Sequence, residues 1–207
     1  MSREQNTEDK IVAAAKTVFI KKGMDGARMH EIADEAGINK ALLHYYFRTK
    51  DKLFEKVFAI VFKDVFQVLE NAVANEMDFE QFIEGFITQY IKLLKSKPFI
   101  PNFVVHELNR KPERIVEQMQ NSQFDKGRLF NLIEKAVEDG VIRPIQPVHL
   151  ITNILSMCVF PFVAKPIITG FILDGDKAKY QQYINERSNE VVLFVKNAVF
   201  LNPKNVS

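Results

Sequence analysis

MHEIADEAGINKALLHYYFRTK, residues 29–50, contains two short runs of helical periodicity on either side of a glycine. Met29, Ile32, Ala33 and Ala36 are three, one and three residues apart, which places them on one helical face. Gly37 follows where a helix end often needs a left-handed backbone, a conformation that glycine adopts without strain. Ile38 then offers an apolar anchor for the turn, and Asn39 is a good N-cap because its side-chain oxygen can accept a free first-turn N–H. From Lys40 to Phe47, Leu43 and Phe47 lie four apart on an inward face. Lys40, Ala41, Leu42, His44, Tyr45 and Tyr46 are left on or near the remaining surface. Lysine neutralises phosphate, tyrosine hydroxyls bond phosphate oxygens, and a small residue at Ala41 permits close approach to a base edge. The pattern predicts a DNA-reading helix-turn-helix. The competing reading packs the two tyrosines against a neighbouring helix.

On the N-terminal side, residues 1–6 are expected to be a frayed tail. A first helix then runs to about Lys22 on the stripe Ile11, Ala14, Ala15, Val18 and Phe19, and Gly23 ends it. With the two helices above, this predicts a three-helix domain whose core contains Phe19, Ile32, Leu43 and Phe47. On the C-terminal side, Thr49 is a plausible cap for a long helix reaching about Asn75. Phe54, Phe58, Phe62, Phe66, Leu69 and Val73 form its buried face. Asp78 opens the next helix and Lys97-Pro98 closes it. A short helix over about Ile100–Arg110 follows, then one over about Pro112–Asp139 capped by Gly140. Pro147 suits the first turn of a helix from about His149 to Pro166, which is apolar nearly all round and should kink at Pro161. Asp174 and Gly175 break the chain before a last helix, about Lys177–Leu201. No strand alternation or repeat appears. The prediction is an all-α chain of about nine helices.

Residues 23–53 in one register closely resemble the N-terminal domain of the TetR family of bacterial transcriptional repressors. The resemblance is carried by Ile32-Ala33, Glu35-Ala36-Gly37, Lys40, Leu43, Tyr45-Tyr46-Phe47, Lys50 and Leu53-Phe54. It covers the first quarter to third of the chain; the remainder matches only in length and helical character. It implies a DNA-binding domain over 1–48 and an effector-binding and dimerisation domain over 49–207. It also implies a homodimer on a palindromic double-stranded DNA operator, and release by an unidentified small-molecule effector. Arg28, Asn39, Lys40, Ala41, Leu42, His44, Tyr45, Tyr46 and Lys50 are the expected DNA-contacting residues. Ala27 departs from the family's usual threonine, which Arg28 could replace as a phosphate contact. His44 and Leu42 also depart, so the preferred DNA sequence is not transferable from relatives.

The 207 residues carry 28 basic and 26 acidic side chains, a net charge of only +2, so overall charge is no argument for nucleic acid. Locally, Lys40, Arg48, Lys50, Lys52 and Lys56 stand against Asp51 and Glu55, five basic residues against two acidic for an excess of three. A hydrophobic fraction of 47% excludes disorder. Cys158 is the only cysteine, which suits a reducing cytoplasm. No apolar leader precedes the first helix, and the longest apolar run, Ile154–Ala164, is too short for a bilayer. A soluble cytoplasmic protein without a membrane partner is expected.

No phosphate loop, dinucleotide fingerprint or metalloprotease motif is present, and His106-Glu107 has Arg110 where a second ligand would stand. No catalytic residue, metal or cofactor is therefore expected. A ligand cavity in the second domain fits the abundance of phenylalanine. Phe62, Phe86, Tyr90, Phe103, His106 and Met157 are the candidate lining, with Glu107 and Gln123 as further polar groups, although each could equally be a satisfied core or surface residue. The last two long helices are the expected dimer seam, through Met157, Phe160, Tyr180, Ile184, Arg187, Val191, Phe194 and Ala198, with Arg187 seeking a charged partner. The runner-up class is a helical protein–protein adaptor whose helix-turn-helix packs on protein. A helical-bundle enzyme would need a retained cofactor that nothing here implies.

Overall fold

Turn and cap chemistry divides the chain into eleven α-helices and one π-helical turn among the residues that the computed structural model describes, 3–74, 78–122 and 124–201. The α-helices are α1 Arg3–Gly26, α2 Met29–Glu35, α3 Lys40–Tyr46, α4 Lys50–Ala74, α5 Phe79–Ser96, α6 Ile100–Arg110, α7 Pro112–Gln120, α8 Lys126–Glu138, α9 Pro147–Val163, α10 Lys165–Ile167 and α11 Lys177–Val199. The π-helical turn, Ile168–Ile172, follows α10. No strand is present among the described residues; a single antiparallel bridge joins Ile142 to Phe200. The fold is all-α, as the periodicities predict. The expected end of the long helix at Asn75, and Gln123, lie outside the described residues.

The chain forms two compact units, Met1–Asp64 with Phe103–Gln118, and Val65–Asn102 with Met119–Ser207. Compactness therefore does not divide the chain at 48/49: the first unit takes in part of α4 and the later segment Phe103–Gln118. Its core is the one the stripes predict, with Ile11, Phe19, Ile32, Leu43, Phe54 and Phe58 all at 1% exposure or less. Phe19 meets Phe54 edge-on at 5.0 Å, and Phe58 stacks between Phe62 and Phe103 at 5.1 and 5.8 Å. Helix α1 begins at Arg3, so the expected tail is corrected over residues 3–6; residues 1 and 2 lie outside the described residues. No breaker stands between Arg3 and Thr7, and the intervening Glu4 and Gln5 are good helix formers. Its regular backbone breaks at Gly23, whose φ is +69°.

The expected single helix over 112–139 is two helices. The Ser122 hydroxyl donates to the Met119 carbonyl at 2.7 Å, and the Asp125 carboxylate caps α8 by accepting from the Arg128 N–H at 3.1 Å. The Asp125 cap is the sequence signal that resolves the break.

In the second unit, α5 buries Phe79, Phe82, Ile83, Phe86, Ile87, Tyr90 and Leu94, and packs with α9 and α11. Lys196 of α11, only 3% exposed, is held by ion pairs to Glu80 and Glu84 of α5, the latter at 2.7 Å. Pro161 lies inside α9 and the helix continues past it to Val163; the sharp bend, 62°, comes at the break before Lys165. Proline has no N–H to reach the carbonyl four residues back, which leaves the Met157 oxygen without its helical donor. Arg187 of α11 fills that place, donating to Met157 O from Nε at 3.3 Å and Nη2 at 3.0 Å. Arg187 thus finds a backbone partner within its own chain, not the charged partner expected of it. No single helix among the described residues is long and apolar enough to cross a membrane, although α9 and Lys165–Ile172 together would be without their bend.

Replacing Arg187 by methionine orphans the Met157 carbonyl and should lower stability to urea by about 2 kcal/mol. Arg187→Lys, a point donor, should recover only part of that. A methionine variant as stable as wild type would contradict the role given to this guanidinium.

Candidate nucleic-acid interface

The turn between α2 and α3 is built as its residues require. Gly37 takes φ +65°, its N–H reaches Asp34 O at 3.1 Å, and the Ile38 N–H reaches Ala33 O at 3.0 Å. Asn39 caps α3 by accepting the Leu42 N–H at 2.8 Å. At the start of α2, Glu31 reaches back to accept the Arg28 N–H at 3.2 Å and pairs with Lys22 at 2.8 Å. The Lys22 ammonium, with this backbone donor, outweighs burial and holds the Glu31 carboxyl below its ordinary value.

Those caps fix which face of α3 is turned out. Leu43 is fully buried and Phe47 is 8% exposed, whereas Lys40, Ala41, Leu42, His44 and Tyr45 are exposed, Tyr45 at 74%. Tyr46 is half-buried and meets the Tyr45 ring edge-on at 5.4 Å. The tyrosines therefore brace each other on the surface. Arg28 is also exposed. Lys50 is placed differently from a free phosphate ligand. Its half-buried ammonium donates to the carbonyls of Ala27 at 3.0 Å and Asp25 at 3.4 Å, which pins the connection between α1 and α2.

Behind this face lies a charged corner that reading the sequence missed. Glu107 is wholly buried and receives Arg114 Nη1 at 2.6 Å; Arg110 Nη1 stands 3.5 Å from its other oxygen. Arg110 and Arg114 also pair with Asp51 at 3.3 and 3.4 Å, Arg114 with Glu55 at 3.1 Å, and Arg110 with Asp25 at 3.3 Å. Both guanidiniums lie over the Phe54 ring, 5.9 and 5.5 Å from its centroid. The segment α6–α7 thereby grips the first two turns of α4, where Lys50 also sits. The sequence signal was present: Glu107, Arg110 and Arg114 are three and four apart, one helical face interrupted by Pro112.

The candidate ligand residues fall in both units. Phe62 and Phe103 belong to the stacked core of the first unit, while Phe86 and Tyr90 belong to the core of the second. His106 is exposed beside Asp25, 4.0 Å from its carboxylate. Glu107 is committed to arginine, and burial pushes the Tyr90 hydroxyl up and the Cys158 thiol up to about 12. Met157 lines a groove of about 340 Å³ with Phe194 and Ala198. Among the described residues no group of three His, Cys, Asp or Glu side chains could hold a metal ion. Of the expected seam, Tyr180, Ile184 and Val191 are corrected: at 7%, 4% and 1% exposure they are buried inside the chain, against Phe160 at 62% and Phe194 at 64%. Helix α11 carries two apolar faces, and spacing alone does not say which one turns inward.

Removing one partner of a buried ion pair strands the other. Arg114→Met should therefore cost about 3 kcal/mol in denaturant unfolding, and Glu107→Leu in the same chain should restore most of it. A single variant within 0.5 kcal/mol of wild type, on the order of an ordinary surface change, would contradict the corner. Acid should act in the same place. Burial raises the Asp51 pKa, but hydrogen bonds and charge from Arg110, Lys111 and Arg114 outweigh it and leave the value below the ordinary 3.8. The stabilisation is present above 3.8 and is lost as pH falls through the lowered value. Asp51→Asn should flatten the acid limb of the stability curve.

Residues 11–57 match the family model of the bacterial regulatory proteins of the tetR family. Over 48 residues, 23% of each chain, the sequence is 44% identical to the HTH-type transcriptional repressor NicS of Pseudomonas putida. Over 49 residues it is 41% identical to IcaR of Staphylococcus aureus strain Newman, a negative transcriptional regulator of the biofilm operon icaADBC; that match covers 24% of this chain and 26% of IcaR. The alignments thus span about a quarter of the length of these curated relatives. The fold extends the likeness: a TetR transcriptional regulator from Chloroflexus aurantiacus superposes with a TM-score of 0.72 at 17% identity, over 98% of this chain and all of that one. The sequence match thus identifies residues 11–57 as an N-terminal domain of the tetR family of bacterial regulatory proteins, and the likeness along the rest of the chain is one of fold.

Proposed function

We propose that this chain is a homodimeric transcriptional regulator, a repressor that binds a palindromic operator and is released by a small apolar or amphipathic effector. The observation that carries the reading is the outward face of α3: Lys40, Ala41, Leu42, His44 and Tyr45 exposed over a buried Leu43, in a head matched by known repressors. Leu42 offers apolar contact, suited to a thymine methyl, and Lys40 and Tyr45 supply phosphate or base-edge contacts. Lys50 supports binding by positioning, since its ammonium is held by the backbone between α1 and α2. Two such heads related by a two-fold axis read half-sites about 34 Å apart. Such a regulator works in the cytoplasm, where its operator is. Helix α4 contributes residues to both units, which makes it the natural element for an effector to act on through a shift of populations.

The dimer surface is the exposed side of α9 and α11. Met157, Phe160, Phe194 and Ala198 remain from the expected seam, and Leu193 at 46% exposure joins them. Phe194→Glu should give monomers by sedimentation with the fold intact, whereas Val191→Glu should unfold the chain because its site is closed. A Phe194→Glu dimer as stable as wild type would remove α11 from the interface.

A mobility-shift experiment with the chain's own upstream region tests the function. A specific complex is expected, weakening steeply with salt. Lys50→Ala should weaken all sequences alike, while Lys40→Ala and Leu42→Ala should change the preference among sequences. An adaptor would give no specific complex, and equal losses from all three substitutions on specific and random DNA would contradict the roles assigned.

A further inference from the structure

The second unit contains a cleft of about 540 Å³, within the range of small-molecule sites. None of its lining residues is acidic, and two are lysines, Lys95 in the last turn of α5 and Lys165 at the start of α10. Neither lysine has a carboxylate within 4.0 Å among the described residues. Lys165 instead stands over the Tyr180 ring, its Nζ 5.1 Å from the centroid. The Tyr180 hydroxyl is committed to Pro161 O at 3.2 Å, so the ring presents its face to the cation and not its polar end. Most of the remaining lining is apolar, Phe162, Phe99, Pro166 and Ile184 among it, and Gln181 adds a neutral polar group. Asn102, in the first turn of the 11-residue α6, also lines the cleft, so the positive end of that helix borders it.

Two unpaired cations and an aromatic, proline-rich wall are complementary to a molecule with one anionic end and an apolar body. We infer that this cleft binds a small amphiphilic carboxylate, its anion between Lys95 and Lys165 and its hydrocarbon part against Phe162, Phe99 and Pro166. A free inorganic anion would leave the apolar wall uncovered, and a neutral hydrocarbon would leave the lysines unanswered. The inference names the effector class of the regulator proposed above, and only its consequence for DNA rests on that proposal. The site differs from the one expected on sequence. Lys95 and Lys165 carry no periodicity signal that would join them, and the bend before Lys165 is what brings the second lysine to the wall.

The test is isothermal titration calorimetry on the full chain with octanoate, decanoate and 4-phenylbutyrate, beside decanol, acetate and inorganic phosphate. At least one of the three amphiphilic carboxylates should bind at one per chain with a Kd below about 100 μM, and decanol, acetate and phosphate should bind at least roughly tenfold more weakly. Lys95→Gln and Lys165→Gln should each weaken that carboxylate roughly threefold to tenfold, as a partly exposed ion pair does. Lys92→Gln, an exposed lysine of α5 outside the cleft, should change nothing. Failure of all three carboxylates to bind below about 1 mM, binding of decanol or phosphate as tight as theirs, or unchanged affinity in both cleft variants would each overturn the site. A parallel mobility shift of the unliganded protein on its upstream region reports on the regulator reading separately, since it requires no ligand.

Discussion

The hold of α6–α7 on the start of α4 depends on one buried contact, the Glu107 carboxylate in the grip of Arg114. A wholly buried carboxylate is costly unless its charge is answered, and an answered one is intolerant of displacement. With Arg110 and Arg114 drawn to Glu107, their remaining donors fall on Asp51, Glu55 and Asp25, and their planes fall on Phe54. These are the first turns of α4 and the end of α1. The two elements flanking α2 and α3 are thus held by a segment fifty residues away in sequence. Lys50, bonded to Ala27 O and Asp25 O, closes the same region from the other side. The rigidity of a reading surface made of two seven-residue helices, too short to be stable alone, comes from this corner.

Much of this architecture was legible because local chemistry and global packing agree. Gly37, Asn39, Asp78 and Pro147 each stand where their backbone or side chain is needed, and the stripes of α1 and α4 name buried residues correctly. The outward set on α3 follows from Leu43 and Phe47 alone. What escaped was long-range electrostatics. Hydrophobic periodicity says where a helix buries a face and is silent on charges that meet across it. Glu107 therefore read as half of a weak ligand pair, and no spacing joined Lys196 to Glu80 and Glu84, its partners on another helix. The break at Asn121–Asp125 was readable in principle from the Asp125 cap and from a stretch, Asn121–Arg128, in which Phe124 is the one large apolar residue and Gly127 a weak point for a helix.

Helix α11 shows a second limit of the same kind. Its Tyr180, Ile184 and Val191 obey a bundle seam, but the seam is internal; the exposed Leu193 and Phe194 lie on another face of the same helix. Arg187 lies beside that seam for a reason stated by Pro161 in α9: a missing amide there requires a donor from elsewhere. A backbone vacancy in one helix thus fixes the identity of a side chain in another. The pocket candidates meet the same limit, since aromatic residues that line a cavity and those that fill a core have the same spacing. Phe62 and Tyr90 fill cores, and the cleft with ligand chemistry is marked instead by lysines without acidic partners.

The claim on which the account rests is that Phe103–Gln118 is a structural part of the DNA-reading unit. Native-state hydrogen exchange with increasing denaturant measures this directly, because segments that unfold together share one opening free energy. Amides of Lys50–Val61 and of Phe103–Gln118 should converge on a single isotherm, distinct from that of α5 and α11. If Phe103–Gln118 instead exchanged with α5 and α11, or opened alone while the start of α4 stayed protected, the corner would not be what holds the reading head.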